Sequence, residues 1–254
     1  MTQQLGKRAS IEGLFTLARE RARAGDESGA ARTWAAAVAL AEREGLEEIV
    51  AVAEAGLAQA DVRERRLDLA QARLEAAWRR CRPPSTPPGV RAQVGGQLGQ
   101  VLVFQGRPAE GVALMHAAVQ DWRSAGDATA AHELELAVSA ICERVDRAVD
   151  EISDADPETR AAALCRRAEV ALATDHAERA QCDLAEAWSL AQVLPARPRG
   201  RVGALYGQLL AARGAPGAMA VLLTARAAWA EADEPQWLER VDAILATTTA
   251  AGQA

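Results

Sequence analysis

The sequence predicts an all-α protein built as a stack of five to six helix hairpins and closed by a C-terminal capping helix. Three observations predict it. Small residues recur at fixed offsets: Ala18, Ala30 and Ala37; Ala58, Ala70 and Ala77; Gly99, Gly111 and Ala118; Ala168, Ala180 and Ala187. In each set they lie 12 and then 7 positions apart, and a large apolar residue (Trp34, Leu74, Met115, Leu184) follows four after the second. Small residues let two helices approach closely while a bulky neighbour fills the groove, which is the requirement of a repeated hairpin. The second observation is composition: half of the 254 residues are hydrophobic, only 4% are aromatic, and the apolar share is mainly Ala, Leu and Val. Ala and Leu lead the helix-propensity ranking. The third is punctuation by Gly, Asp and Pro at the ends of helical-period segments.

Taken in order, residues 1–10 read as a flexible polar tail, with Ser10 as the N-cap of a helix whose Ile11, Leu14, Phe15 and Ala18 fall on one face. Gly25 ends that helix in the left-handed conformation and Asp26 caps the next, which runs to Glu44 and closes at Gly45. The same logic predicts helices over 46–63, 66–81, 90–105 and 108–124, with Pro108 at a first helical position. The four prolines of RPPSTPPG (82–89) forbid helix and read as an ordered loop between repeats. Helices over 127–142 and 144–153 make a degenerate fourth hairpin (127–154) whose signature residues are Leu136, Ala148 and Ile152. Asp156-Pro157-Glu158 opens a fifth hairpin to residue 194. PARPRG (195–200) precedes the last, 200–233, where Met219 and Arg226 stand at the small-residue offsets from Gly207 and predict looser packing. A helix over 235–247, with Trp237, Val241, Ile244 and Leu245 on one stripe, would cover the open end of the core. Residues 11–254 therefore read as a single domain.

Charge and chemistry narrow the function. A net charge of −6 argues against a nucleic-acid binder. The arginines at 63, 65, 66 and at 79, 80, 82 read as solvated or as partners of helix C-termini. Cys81, Cys142, Cys165 and Cys182 form no CxxC pair, and three isolated histidines add no zinc-ligand spacing, so neither metal nor cofactor is expected. No apolar leader and no run long enough to insert in a membrane is present, which fits the cytoplasm. Asp175-His176 with Cys182 and Asp183 reads as a capping Asp, an exposed His and a small buried thiol rather than as a catalytic set. Trp34, Trp78, Trp122, Trp188 and Trp229 all fall in second helices and read as wedges between repeats. No nucleophile–base pair or phosphate loop is legible, so no enzyme is expected.

The segment LARERARAGDESGAARTWAAAVALA (17–41), with Leu17, Ala18, Gly25, Ala30, Trp34 and Ala37, resembles the tetratricopeptide repeat (TPR). The resemblance extends over residues 11–233, with repeats 32 to 41 residues apart. It implies a right-handed α-α superhelix, a TPR-like solenoid, whose first helices line a concave groove for an extended peptide or a helix of a partner protein. The groove positions it implies are Gln59, Gln100 and Gln208, each directly after the small residue of a first helix, with Arg19, Arg23, Arg63, Gln93, Gln97, Arg166 and Arg201. A primary amide both donates and accepts, so such a row suits the backbone of an extended peptide, and the arginines suit carboxylates. The Lys and Asn pattern of the carboxylate-clamp subgroup is absent, since those slots hold Phe15, Arg19, Gly56, Gln93 and Gln97. The function expected is a non-enzymatic interaction scaffold or adaptor. Two further readings stay open: a peptide- or ligand-responsive sensor, since the long irregular repeats resemble those of bacterial signal-sensing regulators, and homo-oligomerisation. The Ala- and Arg-rich composition fits a GC-rich bacterial genome.

Overall fold

The computed structural model describes residues 2–81 and 83–251, with the side chains of 9–81 and 83–250. Met1 and Arg82, on which the start of the tail and one arginine of the 79–82 cluster fall, lie outside the described residues. The described chain is all helical: α1 (Thr2–Arg23), α2 (Glu27–Arg43), α3 (Glu47–Arg63), α4 (Leu67–Arg80), α5 (Pro88–Phe104), α6 (Pro108–Ser124), α7 (Ala128–Asp150), α8 (Pro157–Ala173), α9 (Ala177–Ala191), α10 (Ala196–Ala212), α11 (Ala218–Glu231) and α12 (Pro235–Ala251). Five of the pairs expected as hairpins form: α1/α2, α3/α4, α5/α6, α8/α9 and α10/α11.

The turns follow their residues. Gly25, Gly45 and Gly106 have φ of +80°, +66° and +80°, the left-handed region that glycine enters without a Cβ penalty. Asp26 caps α2, its carboxylate accepting from the Gly29 N–H at 2.9 Å. Asp156 caps α8, accepting from the Glu158 and Thr159 N–H groups at 3.1 and 3.0 Å, and those bonds hold its carboxyl below the usual carboxylate range.

Several expectations need correction. Helix α1 begins at Thr2, not at Ser10: of residues 2–10 only Gly6 is a weak helix former, and nothing there stops the helix. Helices α5 and α10 start at Pro88 and Ala196, earlier than residues 90 and 200. Pro88 and Pro198 both fall in a first turn, where the missing N–H has no intrahelical acceptor. The fourth hairpin, 127–154, is instead the single 23-residue helix α7. Cys142-Glu143-Arg144 has neither Gly nor Pro to turn the chain, and the buried Ala131, Leu134, Ile141, Val145 and Val149, with half-buried Val138 between, keep helical spacing across it. Leu136, a signature residue of that copy, is 58% exposed.

The chain divides within α7 into two compact units, Met1–Ser139 and Ala140–Ala254. In the first, one cluster joins Ile11, Ala18, Trp34, Ala37 and Val50, and another joins Ala58, Ala70, Leu74, Ala77, Leu98 and Val101. In the second, Leu164, Ala168, Ala180, Leu184, Ala187 and Val202 form the main cluster. Leu222, Trp229 and Val241 form a smaller one, against which Leu238, Ile244 and Leu245 of α12 pack. Trp237 stacks on Trp229 with ring centroids 5.4 Å apart and 15° between planes. The recurring small residues thus lie in the cores, where the 12- and 7-residue offsets place them.

The last hairpin is not loose. The buried residues of α11 include Ala218, Leu222 and Ala225, one position before Met219, Leu223 and Arg226, and the turn before it holds five residues where the other hairpins have three. A Cβ on Gly207 would meet the Leu222 side chain at 2.6 Å.

Candidate functional site

Helix α3 packs against α5 in the first unit, so the first helices of successive hairpins are neighbours there. Their shared face carries a sequence-legible spacing. Gln97, Gln100, Val101 and Phe104 stand at i, i+3, i+4 and i+7 of α5, while Gln59, Val62 and Arg63 stand at i, i+3 and i+4 of α3. These seven side chains line one depression of about 190 Å³. A second depression, of about 250 Å³, lies between α1, α2 and α3, lined by Arg19, Arg23, Glu27, Trp34, Gln59 and Arg63. Gln59 and Arg63 belong to both, so the two adjoin.

The chemistry of the two differs. Gln59 and Gln100 are exposed and Gln97 is half-buried; Gln97 Oε1 is buried and accepts no hydrogen bond from any described residue. A buried amide oxygen left without a donor carries its full desolvation cost. Beside it Phe104 is 62% exposed, an apolar ring presented to solvent at the C-terminal end of α5. In the second depression Arg63 Nη1 donates to both carboxylate oxygens of Glu27, at 3.0 and 2.9 Å, which compensates its charge. Arg19 and Arg23 carry no ion pair among the described residues, leaving this depression net positive in an acidic protein.

Of the residues expected along the groove, Arg19, Arg23, Gln59, Arg63, Gln97 and Gln100 therefore gather around these two depressions. Gln93 is half-buried on α5 and lines neither. Arg166, Arg201 and Gln208 are exposed on α8 and α10 of the second unit, where Arg201 lies 3.9 Å from Glu169. Phe104 and Val62 escaped sequence reading. Their signal was present, since an apolar residue seven after Gln97 and one three after Gln59 extend the same two faces.

Close contacts within and between hairpins decide the architecture. Gly99 and Gly111 face each other so closely that a Cβ on either would lie 2.5 or 2.4 Å from the other's carbonyl oxygen. A second-helix tryptophan lies over a glycine of the next first helix three times: Trp34 over Gly56, Trp78 over Gly95 and Trp188 over Gly203. The fold is a repeat of helix hairpins. No protein-family model matches the sequence, and a search of curated proteins found no match. Among solved structures the chain is similar to the TPR2AB domain of yeast Sti1 in its pHSP90 complex, at 13% identity and a TM-score of 0.40, over 95% of this chain and 99% of that one. It is also similar to a Podosopora anserina putative kinesin light chain with nearly identical TPR-like repeats, at 16% identity and a TM-score of 0.41, over 88% and 96%. BtubC (BKLC) from P. vanneervenii gives 13% identity and a TM-score of 0.36, over 98% and 92%.

The other constellations are turn residues, ion pairs and thiols. Asp175 does not cap α9; it occupies the left-handed turn position with φ of +61°, and His176 stands at the N-cap. Cys182 is exposed rather than buried, while Asp183 is buried and receives two hydrogen bonds from Arg167, at 2.9 and 2.6 Å. Asp61 is likewise buried, held by Arg66 at 2.6 Å and Arg73 at 2.9 Å. Burial pushes the Cys81 thiol up to about 11 and the Cys165 thiol up to about 12, the direction opposite to that of an activated nucleophile. No group of His, Cys, Asp or Glu among the described residues is arranged to hold a metal ion. No described helix is long and apolar enough to cross a membrane.

Proposed function

We propose that this protein is a non-enzymatic adaptor of the cytoplasm. It binds an extended or helical segment of another protein on the face formed by its first helices. The observation that supports this most is the gathering of Gln59, Gln97 and Gln100 with Arg63 around one depression on neighbouring helices α3 and α5. Amide side chains pair with backbone N–H and C=O groups of an incoming segment whatever its sequence. Arg19 and Arg23 beside them supply charge-assisted hydrogen bonds to carboxylates. In the second unit Gln208, Arg166 and Arg201 also lie on first helices, α10 and α8.

The test is affinity capture from native lysate with wild type and a Gln59→Ala/Gln100→Ala variant, quantified by mass spectrometry. Both side chains are exposed, so truncation leaves the core intact. A protein captured by wild type and lost from the variant supports the reading. Equal capture by both moves the interface off this face.

A further inference from the structure

We propose that the exposed face of α7 is a self-association surface, on which the α7 of a second copy of this chain packs antiparallel about a two-fold axis at Ala140. The place of α7 in the chain motivates it. It follows α6 where a first helix stands, yet the next helix, α8, pairs with α9, so α7 has no second helix of its own. Complete hairpins bury their first helices on more than one side: α5 hides Gly95-Gly96, Leu98-Gly99 and Val101-Leu102, consecutive residues that point about 100° apart. The buried residues of α7 keep to one stripe, and Glu133, Leu136, Ala140, Arg144 and Arg147 on the opposite face are all exposed.

These five residues are symmetric about Ala140. Glu133 and Arg147 lie seven positions either side of it, Leu136 and Arg144 four. Seven and four residues are about two turns and one turn, so all five fall within about 40° of one line along the helix. In an antiparallel pair each residue meets the one equally far on the other side of the axis. Glu133 of each copy then faces Arg147 of the other, giving two ion pairs, and Leu136 lies under the aliphatic stem of Arg144. Ala140 meets its own mate, where a small side chain lets the helices approach. Leu136, 58% exposed, leaves water when covered. Glu133, Arg144 and Arg147 have no ion pair among the described residues, whereas Glu135 of the same helix is held by Arg123. A parallel copy would set Glu133 against Glu133 and arginine against arginine, so charge selects the reversed one. None of these residues belongs to the face proposed above for a partner protein.

The experiment is sedimentation velocity of the full chain up to about 100 μM, because one helix pair is a small interface and associates in the micromolar range. Wild type should sediment as a monomer–dimer equilibrium. Glu133→Arg and Arg147→Glu, each alone, set like charges face to face twice and should raise the dissociation constant about tenfold. An equimolar mixture of the two should recover wild-type affinity, because each protomer supplies the sign the other lacks. The double variant Glu133→Arg/Arg147→Glu should recover it for the same reason, and thermal melting of each variant checks the fold. A wild-type monomer at the highest concentration would overturn the proposal. A dimer indifferent to both single variants would place the interface elsewhere and overturn it too. Loss in the single variants without recovery in the mixture would refute the antiparallel register. A monomer that captures a different protein from lysate, through p-benzoylphenylalanine at position 136, would assign the face to that protein and overturn the proposal.

Discussion

The indole of Trp34 lies flat against the bare Cα of Gly56: a methyl group at position 56 would fall 2.4 Å from Trp34 Cδ2 and Cε2. Trp34 belongs to α2 and Gly56 to α3, so this contact joins the second helix of one hairpin to the first helix of the next. Gly56→Ala is expected to cost about 1–3 kcal/mol, as overpacking of a filled core does. Denaturant unfolding measures it. Trp34→Leu should make Gly56→Ala nearly neutral, so a double-mutant cycle with no coupling would contradict the contact.

Buried Asp61 draws Arg66 of the α3–α4 turn and Arg73 of α4 onto α3. Removing the carboxylate leaves two guanidinium groups facing a small void, although both are a third to a half exposed and regain water. Asp61→Ala should therefore cost about 1–3 kcal/mol, at the low end for a buried pair. The exposed ion pair of Arg107 with Glu110 is the internal control, since Glu110→Ala should change stability by less than about 1 kcal/mol.

The thiols make a pH test whose sign is fixed by burial. Cys81 and Cys165 stay neutral in the fold to about 11 and about 12, whereas the unfolded thiol ionises near 9.0. The stability this represents is fully present below pH 9 and is lost as pH rises through 9 to 12. Unfolding free energy should decline in that window, and less steeply in Cys165→Ala than in wild type when each is referred to its own value at pH 8. A maleimide added to native protein at neutral pH should react first at exposed Cys182 and last at Cys165.

Helix α7 separates two readings of the same residues. As one helix it protects the amides of 141–145 against hydrogen exchange; as a hairpin it would place a turn there and leave them fast. Slow exchange through Cys142, Glu143 and Arg144 is the expected outcome.

What was legible in the sequence divides along physical lines. The hairpins were legible wherever a turn carries its own chemistry, as at Gly25-Asp26 and Asp156-Pro157, and wherever Ala or Gly must admit a neighbouring helix. The fourth repeat misled because an array implies a turn near Glu143 that no residue there enforces, and local propensity prevailed. The last repeat misled by one residue because a fixed offset cannot register a turn of different length, although Gly214-Ala215-Pro216-Gly217 does mark the turn itself. At the surface, the glutamines stood out because they repeat after a small residue. Phe104 did not, since an aromatic residue on a helix in a sequence reads as core, and its 62% exposure belongs to the packing alone.

The central claim is that first helices, not second helices, meet the partner. The direct measurement is photo-crosslinking in native lysate with p-benzoylphenylalanine placed at position 100 on α5 or, in a second variant, at position 75 on α4, both exposed sites. The account predicts a discrete crosslinked partner from position 100 and none of that mass from position 75. The same product from position 75, with none from position 100, would contradict it.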